Sequence, residues 1–377
     1  MKPITLGMSI TLVAVAALWA QKSQQRPAAP VAVAPVAVAI DKGAHWLAST
    51  QGPDGGWGQD GGATSYVRQD EHLESNGNDV ANTAVAALAL RRAGIQYQPN
   101  VERAILFILQ RVEASPNDGL AITDMQGTQI QRKLGPFIDT FLTSRLLSEV
   151  EGTLADRALN ARVRRALEKC VAKIQTNQKS DGSWNISGGW APVIGTSMAA
   201  RSLYDARQKG VKVEDKVMAR ADAYTVAAAA PPPAATKPVG SAKGGAGGGS
   251  LAISGRPESA GVALYQTAQA LEQLSRTEAD RSRNAPQIAE LKSQLSDSRF
   301  VEGFGSIGGE EFFSYLNLSD GLKRAGGEDW NKWHSQITEK IMSLQNSDGT
   351  WAGHHCITGR VAVTSGAILN LTVDRAN

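Results

Sequence analysis

The sequence predicts an all-α protein built from repeated pairs of helices, with an inner ring of helices inside an outer ring. Two observations predict this fold. A seven-residue pattern, Gln-x-x-Asp-Gly-x-Trp, occurs at 51–57, 178–184 and 345–351, and recurrence of four fixed positions is typical of a repeat architecture. In addition, helical segments with a charged face alternate with segments that are apolar on nearly every side, and such apolar helices are buried.

The composition is that of a globular protein and excludes few functions. Of the 377 residues, 42% are hydrophobic and 20% are charged, which is enough for one large domain or two ordinary ones. The net charge is +3 and no block of five basic residues occurs, so nucleic acid is not indicated as a partner. The two cysteines, Cys170 and Cys356, are too few for a disulfide framework and are predicted to be free or buried thiols.

The N-terminal segment is predicted to export the protein. Lys2 precedes an apolar run from Ile4 to Ala20, which is typical of a signal peptide at 1–20. An uncleaved membrane anchor is the alternative, because the run approaches the length of a short membrane span; a helix buried in the fold is a third. The Ala, Pro and Val-rich residues 21–39 are predicted to form an extended linker. We therefore expect a periplasmic or membrane-anchored protein, with membrane contact through this segment alone and folded structure from about Ile40.

The helices with a charged face lead into the repeated pattern, and the apolar helices follow it. The segment 79–90, which follows the first copy, carries almost no charge after its first residue. Charged-face helices are predicted for the outer ring at 40–50, 101–112, 158–177, 214–226 and 330–344.

The inner helices share a common register that indicates six repeats. A leucine stands seven residues after each start position, on the same helix face; the start positions are Thr83, Thr140, Thr196, Thr267, Tyr315 and Thr364. The interval between Thr196 and Thr267 is longer than the others and contains an Ala, Pro and Gly-rich stretch at about 227–255, which predicts a flexible insertion. A linker between two three-repeat domains is the alternative, but it would leave both ends of each half uncovered.

The residues of the repeated pattern are predicted to be structural. An Asp-Gly pair favours a tight turn, the tryptophan buries a large apolar face between repeats, and the glutamine can bond free backbone groups at helix ends. These residues are Gln51, Asp54, Gly55, Trp57, Gln178, Asp181, Gly182, Trp184, Gln345, Asp348, Gly349 and Trp351.

The segment 42–57 resembles the QW repeat of squalene and oxidosqualene cyclases, from its basic Lys42 and aromatic Trp46 to its terminal Gly-x-Trp. In the second and third copies, Lys173 and Lys340 occupy the position that corresponds to the aromatic Trp46. The segments 117–120 and 302–304 look like degenerate copies. The same superfamily includes terpene cyclases, protein prenyltransferase β subunits and the thioester domains of complement-like proteins. The resemblance covers 40–377 and implies an α/α toroid of six helical-hairpin repeats.

The motifs that carry catalysis in this superfamily are missing from the sequence. The cyclases supply an acid with Asp-x-Asp-Asp, diphosphate ionisation needs a cluster such as Asp-Asp-x-x-Asp, and the thioester proteins use Cys-Gly-Glu-Gln; none of the three occurs. The leading hypothesis is therefore a non-catalytic binding or interaction module for an apolar, isoprenoid-like ligand or an envelope protein. The alternative is a divergent terpene cyclase or prenyltransferase, so the question of enzymatic activity stays open and no catalytic residue is assigned.

Two candidate sites remain. His354, His355 and Cys356 have zinc-ligand chemistry, with Asp79, Asp139 or Asp320 as a further ligand; the alternative is a polar histidine pair beside a buried cysteine, with no cofactor. A glycosidase built on an α/α barrel would need two carboxylates at the ring mouth, and the candidates are Asp79, Asp139, Glu310 and Glu311, which no motif pairs. Aromatic side chains on the inner helices line a ligand cavity or, alternatively, fill the core; they are Phe137, Phe141, Tyr265, Phe312, Phe313 and Tyr315.

Overall fold

The computed structural model describes residues 33–62, 77–184, 192–229, 257–295 and 308–375. Their helices in chain order are α1 (Val33–Ser49), α2 (Val80–Ala93), α3 (Gln98–Ala114), α4 (Gln129–Leu134), α5 (Ile138–Val150), α6 (Arg157–Thr176), α7 (Pro192–Gln208), α8 (Asp215–Ala229), α9 (Pro257–Leu274), α10 (Glu278–Arg283), α11 (Ala285–Gln294), α12 (Gly309–Ala325), α13 (Gly327–Ser343) and α14 (Arg360–Leu371).

Six of these helices form a closed inner ring. Helices α2, α5, α7, α9, α12 and α14 each contact the next, and α14 contacts α2. Helices α1, α3, α6, α8, α11 and α13 lie outside them, each against at least one inner helix. The predicted all-α fold, an α/α toroid with an inner and an outer ring, is confirmed. The ring includes helices from both sides of the Ala, Pro and Gly-rich segment, because α7 contacts α9.

Burial explains why the two kinds of helix differ in sequence. In α2 the side chains of Ala84, Ala86 and Ala87 are fully buried, and their small size lets neighbouring helices approach closely. Helix α6 instead buries one face and exposes a charged one, with Leu167 inside and Glu168 outside. An amphipathic helix of this kind covers a core on one side and meets water on the other.

Helix α1 begins at Val33, so residues 33–39 do not belong to the predicted extended linker. Pro35 lies in the first turn, where a missing N–H costs no intrahelical bond, and Ala39 and Ile40 are buried. The predicted signal peptide or anchor at 1–20, and linker residues 21–32, lie outside the described residues, as does the predicted insertion from 230 onward. None of the described helices is both long enough and apolar enough to cross a bilayer.

Candidate functional site

The three repeated turns share one backbone geometry. The first carboxylate oxygen of each aspartate accepts a hydrogen bond from the N–H two residues later, at 2.9–3.0 Å. The glycine after each aspartate has a φ between 87° and 91°, a conformation that favours glycine. A Cβ on Gly182 would also lie 2.2 Å from the carbonyl oxygen of Arg220. Both the turn and the close approach of the next outer helix therefore require glycine here.

Each tryptophan of the pattern ties an outer helix to an inner helix. Its indole N–H donates to a carbonyl near the end of the preceding outer helix, and the bonds are Trp57 to Leu47 (2.8 Å), Trp184 to Ile174 (2.6 Å) and Trp351 to Ile341 (2.7 Å). Its backbone N–H donates to a buried threonine hydroxyl of the following inner helix, and these acceptors are Thr83, Thr196 and Thr364. The sequence identified these threonines as register positions but did not reveal their hydrogen-bonding role.

Each glutamine of the pattern joins one repeat to the next. Its side-chain amide donates to the carbonyl of the turn glycine and to a carbonyl in the following outer helix. The second acceptors are Asn100 for Gln51, Val217 for Gln178 and Ala39 for Gln345, at 2.8–2.9 Å. The last of these bonds connects the sixth repeat to the first. These interactions account for the twelve pattern residues without assigning any of them chemistry.

A different group of residues has the chemistry of a metal site. The ligand atoms of Glu310, His355 and Cys356 all lie within 4.8 Å of one another, and Nδ1 of His355 is 3.6 Å from Oε1 of Glu310. Glu310 is 1% exposed. Neither of its carboxylate oxygens accepts a hydrogen bond from an N–H or O–H of the described chain, and such a buried carboxylate is costly without a compensating charge. We call these three residues the Glu310 cluster.

The Glu310 cluster differs from the predicted zinc set. His354 is exposed and does not belong to the group. Among the described residues, Asp79, Asp139 and Asp320 are not part of it either.

Close backbone packing builds the Glu310 cluster. The start of α12 lies directly against the loop after the third turn: a Cβ on Gly353 would be 2.6 Å from the backbone nitrogen of Gly309. A Cβ on Gly308 would lie 2.5–2.6 Å from both carboxylate oxygens of Glu310 and 2.6 Å from the His355 ring. Cys356 has a φ of 60°, and a non-glycine residue in this region is a strained conformation that marks functional sites.

The donor set fits a zinc ion. Thiolate, imidazole and carboxylate are its usual ligands, and three protein ligands leave a coordination position open. Burial, and after it the charge of Glu310, raises the pKa of the Cys356 thiol to about 12. A bound divalent cation would reverse this effect, because a coordinating thiol is deprotonated.

Most of the predicted cavity aromatics lie in the core. Phe141, Phe312, Phe313 and Tyr315 are at most 2% exposed, and the hydroxyl of Tyr315 accepts a hydrogen bond from Lys340 at 2.9 Å. The half-buried Phe137 lines a cleft instead. The side chain of Tyr265 lies outside the described residues.

Side chains bridge the interior of the ring. The amide of Asn317 on α12 donates to the hydroxyl of Ser197 on α7 at 3.1 Å, although α9 lies between these helices in the ring. A guanidinium nitrogen of Arg201 on α7 is 2.9 Å from Asp320 on α12, and one of Arg145 on α5 is 3.9 Å from it. Among the described residues, these contacts place polar and charged side chains between non-adjacent inner helices.

An open cleft of about 860 Å³ lies at the mouth of the ring, between the start of α2, the start of α5 and the loop 115–125. Its apolar lining includes Leu120, Ile122, Met125 and Phe137, and its polar lining includes Asp79, Asp118, Asp124 and Arg111.

Two buried carboxyl groups lie beside this cleft. Burial and the neighbouring Asp139 raise the pKa of Asp79 to about 7, and burial raises the pKa of Asp139 to about 6. Asp79 accepts hydrogen bonds from both the backbone and the side chain of Asn82. Residues 79–82 read Asp-Val-Ala-Asn, so Ala81 and Asn82 stand where an Asp-x-Asp-Asp motif has its second and third carboxylates.

Comparisons with known proteins point to the squalene cyclases. A family model described as the squalene-hopene cyclase C-terminal domain matches residues 20–125. A squalene–hopene cyclase of Bradyrhizobium diazoefficiens is 41% identical over 70 residues, which are 19% of this chain and 10% of that enzyme. A type II terpene cyclase from Scytonema, solved with its substrate geranylgeranyl dihydroxybenzoate, aligns over 91% of this chain and 97% of its own, at 11% identity and a TM-score of 0.38. The family model and the squalene–hopene cyclase confirm the predicted resemblance to the squalene cyclase-like repeat superfamily, and the family-model match lies in the N-terminal repeats.

Proposed function

We propose that this protein is a non-catalytic binding module of the squalene cyclase-like type, which takes an apolar, isoprenoid-like ligand in the cleft at the mouth of its ring. The single observation that carries the proposal is the polar bridging between inner helices that are not neighbours in the ring. Within the described residues, contacts of Asn317 and Asp320 with such helices occupy interior space that a cyclase would need for a long folded polyprene.

The cleft supports ligand binding by its size and its lining. Its volume of about 860 Å³ is within the range of small-molecule sites, roughly 300–1,000 Å³. Leu120, Ile122, Met125 and Phe137 give it an apolar side, and Arg111 beside Asp118 gives it a polar one. An isoprenoid alcohol, with a branched apolar chain and one polar end, matches this division.

The location that fits this function is outside the cytoplasm. Lys2 and the apolar run after it have the pattern of an export signal, with retention as a membrane anchor as the alternative. An envelope protein is the other candidate occupant of the cleft.

The proposal is tested by calorimetric titration of the purified protein with farnesol. We expect saturable binding that falls at least tenfold in Phe137→Ser and is unchanged in Leu106→Ser, because Leu106 is 46% exposed on the outer ring. Equal affinity in the two variants would place the ligand elsewhere. Conversion of squalene or a prenyl diphosphate by the wild-type protein would refute the non-catalytic role.

The Glu310 cluster favours a second candidate, a zinc-dependent prenyltransferase-like enzyme. When bound, zinc would stabilise a thiolate at neutral pH. Glu310, His355 and Cys356 would hold the ion, and burial of Glu310 would exclude water from one side of it.

The candidate is tested by metal analysis together with an activity assay. We expect one zinc per chain in the wild type and in Cys170→Ser, because Cys170 is a buried thiol far from the cluster in sequence, and loss of zinc in Cys356→Ser. Cobalt substitution gives an independent readout, since thiolate ligation produces a charge-transfer absorption that Cys356→Ser abolishes. Absence of metal from the wild type, or zinc without prenyl transfer, eliminates the enzyme.

A further inference from the structure

The inner helices carry a buried group of charged residues in their C-terminal halves, away from the motif turns. Four arginines project from four different inner helices into one cavity of about 310 Å³: Arg92 from α2, Arg145 from α5, Arg201 from α7 and Arg324 from α12. Three of them are less than 8% exposed, and buried charges need partners. We call this space the arginine cavity.

The lining of the arginine cavity is unbalanced in charge. Lys209 adds a fifth cation, whereas Glu149 and Asp205 are the carboxylates that line it, and Ser148, Tyr204 and Gln208 complete it. Tyr204 also lies beneath the guanidinium of Arg324, 5.2 Å from its ring centroid.

The neighbouring carboxylates are each shared by more than one arginine. Glu272 bonds Arg201, Arg276 and Arg324. Asp205 bridges Arg145 and Arg201, at 3.3 and 2.9 Å, and Asp320 lies between the same two arginines. Arg276 is partnered further by Asp222 at 3.4 Å. Because several arginines share each carboxylate, some guanidinium N–H groups have no carboxylate oxygen of their own.

Arg92 provides the clearest surplus donor. Its Nε and Nη2 bind the two oxygens of Glu149, at 3.1 and 2.9 Å. Its Nη1 is buried and has no acceptor within the described residues. The like charges also affect Arg145, because burial and the charge of Arg201 lower the pKa of its guanidinium. A buried guanidinium nitrogen without an acceptor is destabilising, and an added anion would offset this cost.

We propose that the arginine cavity binds the phosphate group of a small soluble anion. Guanidinium groups form charge-assisted, forked hydrogen bonds to phosphate oxygens. Arginines that approach from four helices match a tetrahedral oxyanion better than a planar carboxylate, whose acceptors lie in one plane. The site is separate from the cleft and from the Glu310 cluster, so it stands whether or not the proposed function holds.

The test is calorimetric titration of the full chain with inorganic phosphate in a chloride buffer. We expect saturable binding that falls at least tenfold in Arg92→Gln and is unchanged in Arg162→Gln, whose guanidinium pairs with Glu113 on the outer surface. Lys209→Gln should weaken binding about threefold, and this half-buried position keeps the test valid if Arg92→Gln does not fold. Circular dichroism checks the fold of each variant.

Two outcomes would overturn the site: no phosphate binding by the wild type, or equal affinity in Lys209→Gln and Arg162→Gln. Cosedimentation with phosphatidylcholine vesicles that contain phosphatidic acid then distinguishes sources of the same phosphate chemistry. We expect no Arg92-dependent sedimentation, because Arg92 is only 7% exposed and a headgroup held at a membrane surface would not reach it. Sedimentation that Arg92→Gln abolishes would overturn the assignment to a soluble anion.

Discussion

Replacement of Lys173 by methionine tests how the third repeat is attached to the second. The side chain of Lys173 is 1% exposed, and its ammonium group donates to the backbone carbonyls of Asp118, Gly119 and Ala121, each at 3.0 Å. The first two carbonyls belong to the degenerate copy of the repeated turn at 117–120, and the third follows it directly. The lysine therefore stabilises a turn that lacks the terminal tryptophan of the intact copies.

The expected cost follows from the balance of two terms. Hydrogen bonds to a charged group contribute about 1.5–3 kcal/mol each, but burial of the ammonium costs several kcal/mol of hydration. Methionine retains the unbranched stem and removes both terms. Asp118 and Gly119 are exposed, so their carbonyls regain water, whereas the carbonyl of the half-buried Ala121 loses its partner. We expect Lys173→Met to lower the free energy of unfolding by about 2 kcal/mol.

Guanidinium denaturation followed by circular dichroism measures this difference. Lys179→Met makes the same chemical change at an exposed position and should stay within about 0.5 kcal/mol of the wild type. Amide hydrogen exchange should also become faster in the loop 117–121 of Lys173→Met. A free energy of unfolding equal to that of Lys179→Met would refute the reasoning. The three hydrogen bonds of Lys173 would then only compensate for the hydration that its ammonium group loses on burial.

Three further predictions concern the buried carboxyl groups beside the cleft, the third repeated turn and the Glu310 cluster. Since folding raises the pKa of Asp79 to about 7 and that of Asp139 to about 6 from 3.8, the free energy of unfolding should fall as the pH rises from about 4 to about 7. Asp79→Asn should flatten this fall in urea titrations at several pH values. Thr364→Val leaves the buried N–H of Trp351 without its 3.0 Å acceptor and should cost about 1–3 kcal/mol in the same assay, whereas the exposed Thr176→Val should cost little. Gly308→Ala pushes a methyl group into Glu310 and His355 and should weaken zinc binding roughly tenfold or more in competition with a chelator.

The fold could be predicted because the contacts that define each repeat are local in sequence. The aspartate bonds an N–H two residues later, and the indole of Trp57 bonds a carbonyl ten residues earlier. Fixed spacings of this kind are visible in a single sequence. The alternation of charged-face and buried helices then gives the two rings, because burial determines which residues a helix tolerates on each face.

The Glu310 cluster could not be predicted in the same way. In the sequence, His354, His355 and Cys356 are consecutive residues with zinc-ligand side chains, and this adjacency does not distinguish the two that belong to the cluster from His354. Glu310 reaches them through the packing of the start of α12 against the loop after the third turn, at Gly309 and Gly353. No spacing rule relates these segments. The local signal in the sequence is the pair of glycines at 308 and 309 immediately before two carboxylates.

The third turn joins the last repeat to the first through the same glutamine hydrogen bond that the other two turns make to the next outer helix. Gln345 bonds the carbonyl of Ala39 in α1 as Gln51 and Gln178 bond the next outer helix. The N–H of Val361 adds a bond to the carbonyl of Gln59 at 3.0 Å. A linear stack of repeats needs capping repeats with polar outer faces, whereas a closed ring gives every repeat two neighbours. Packing between repeats therefore constrains the helices and turns throughout the ring. Residues at the two ends of the ring, where the cleft and the arginine cavity lie, can vary with the binding function.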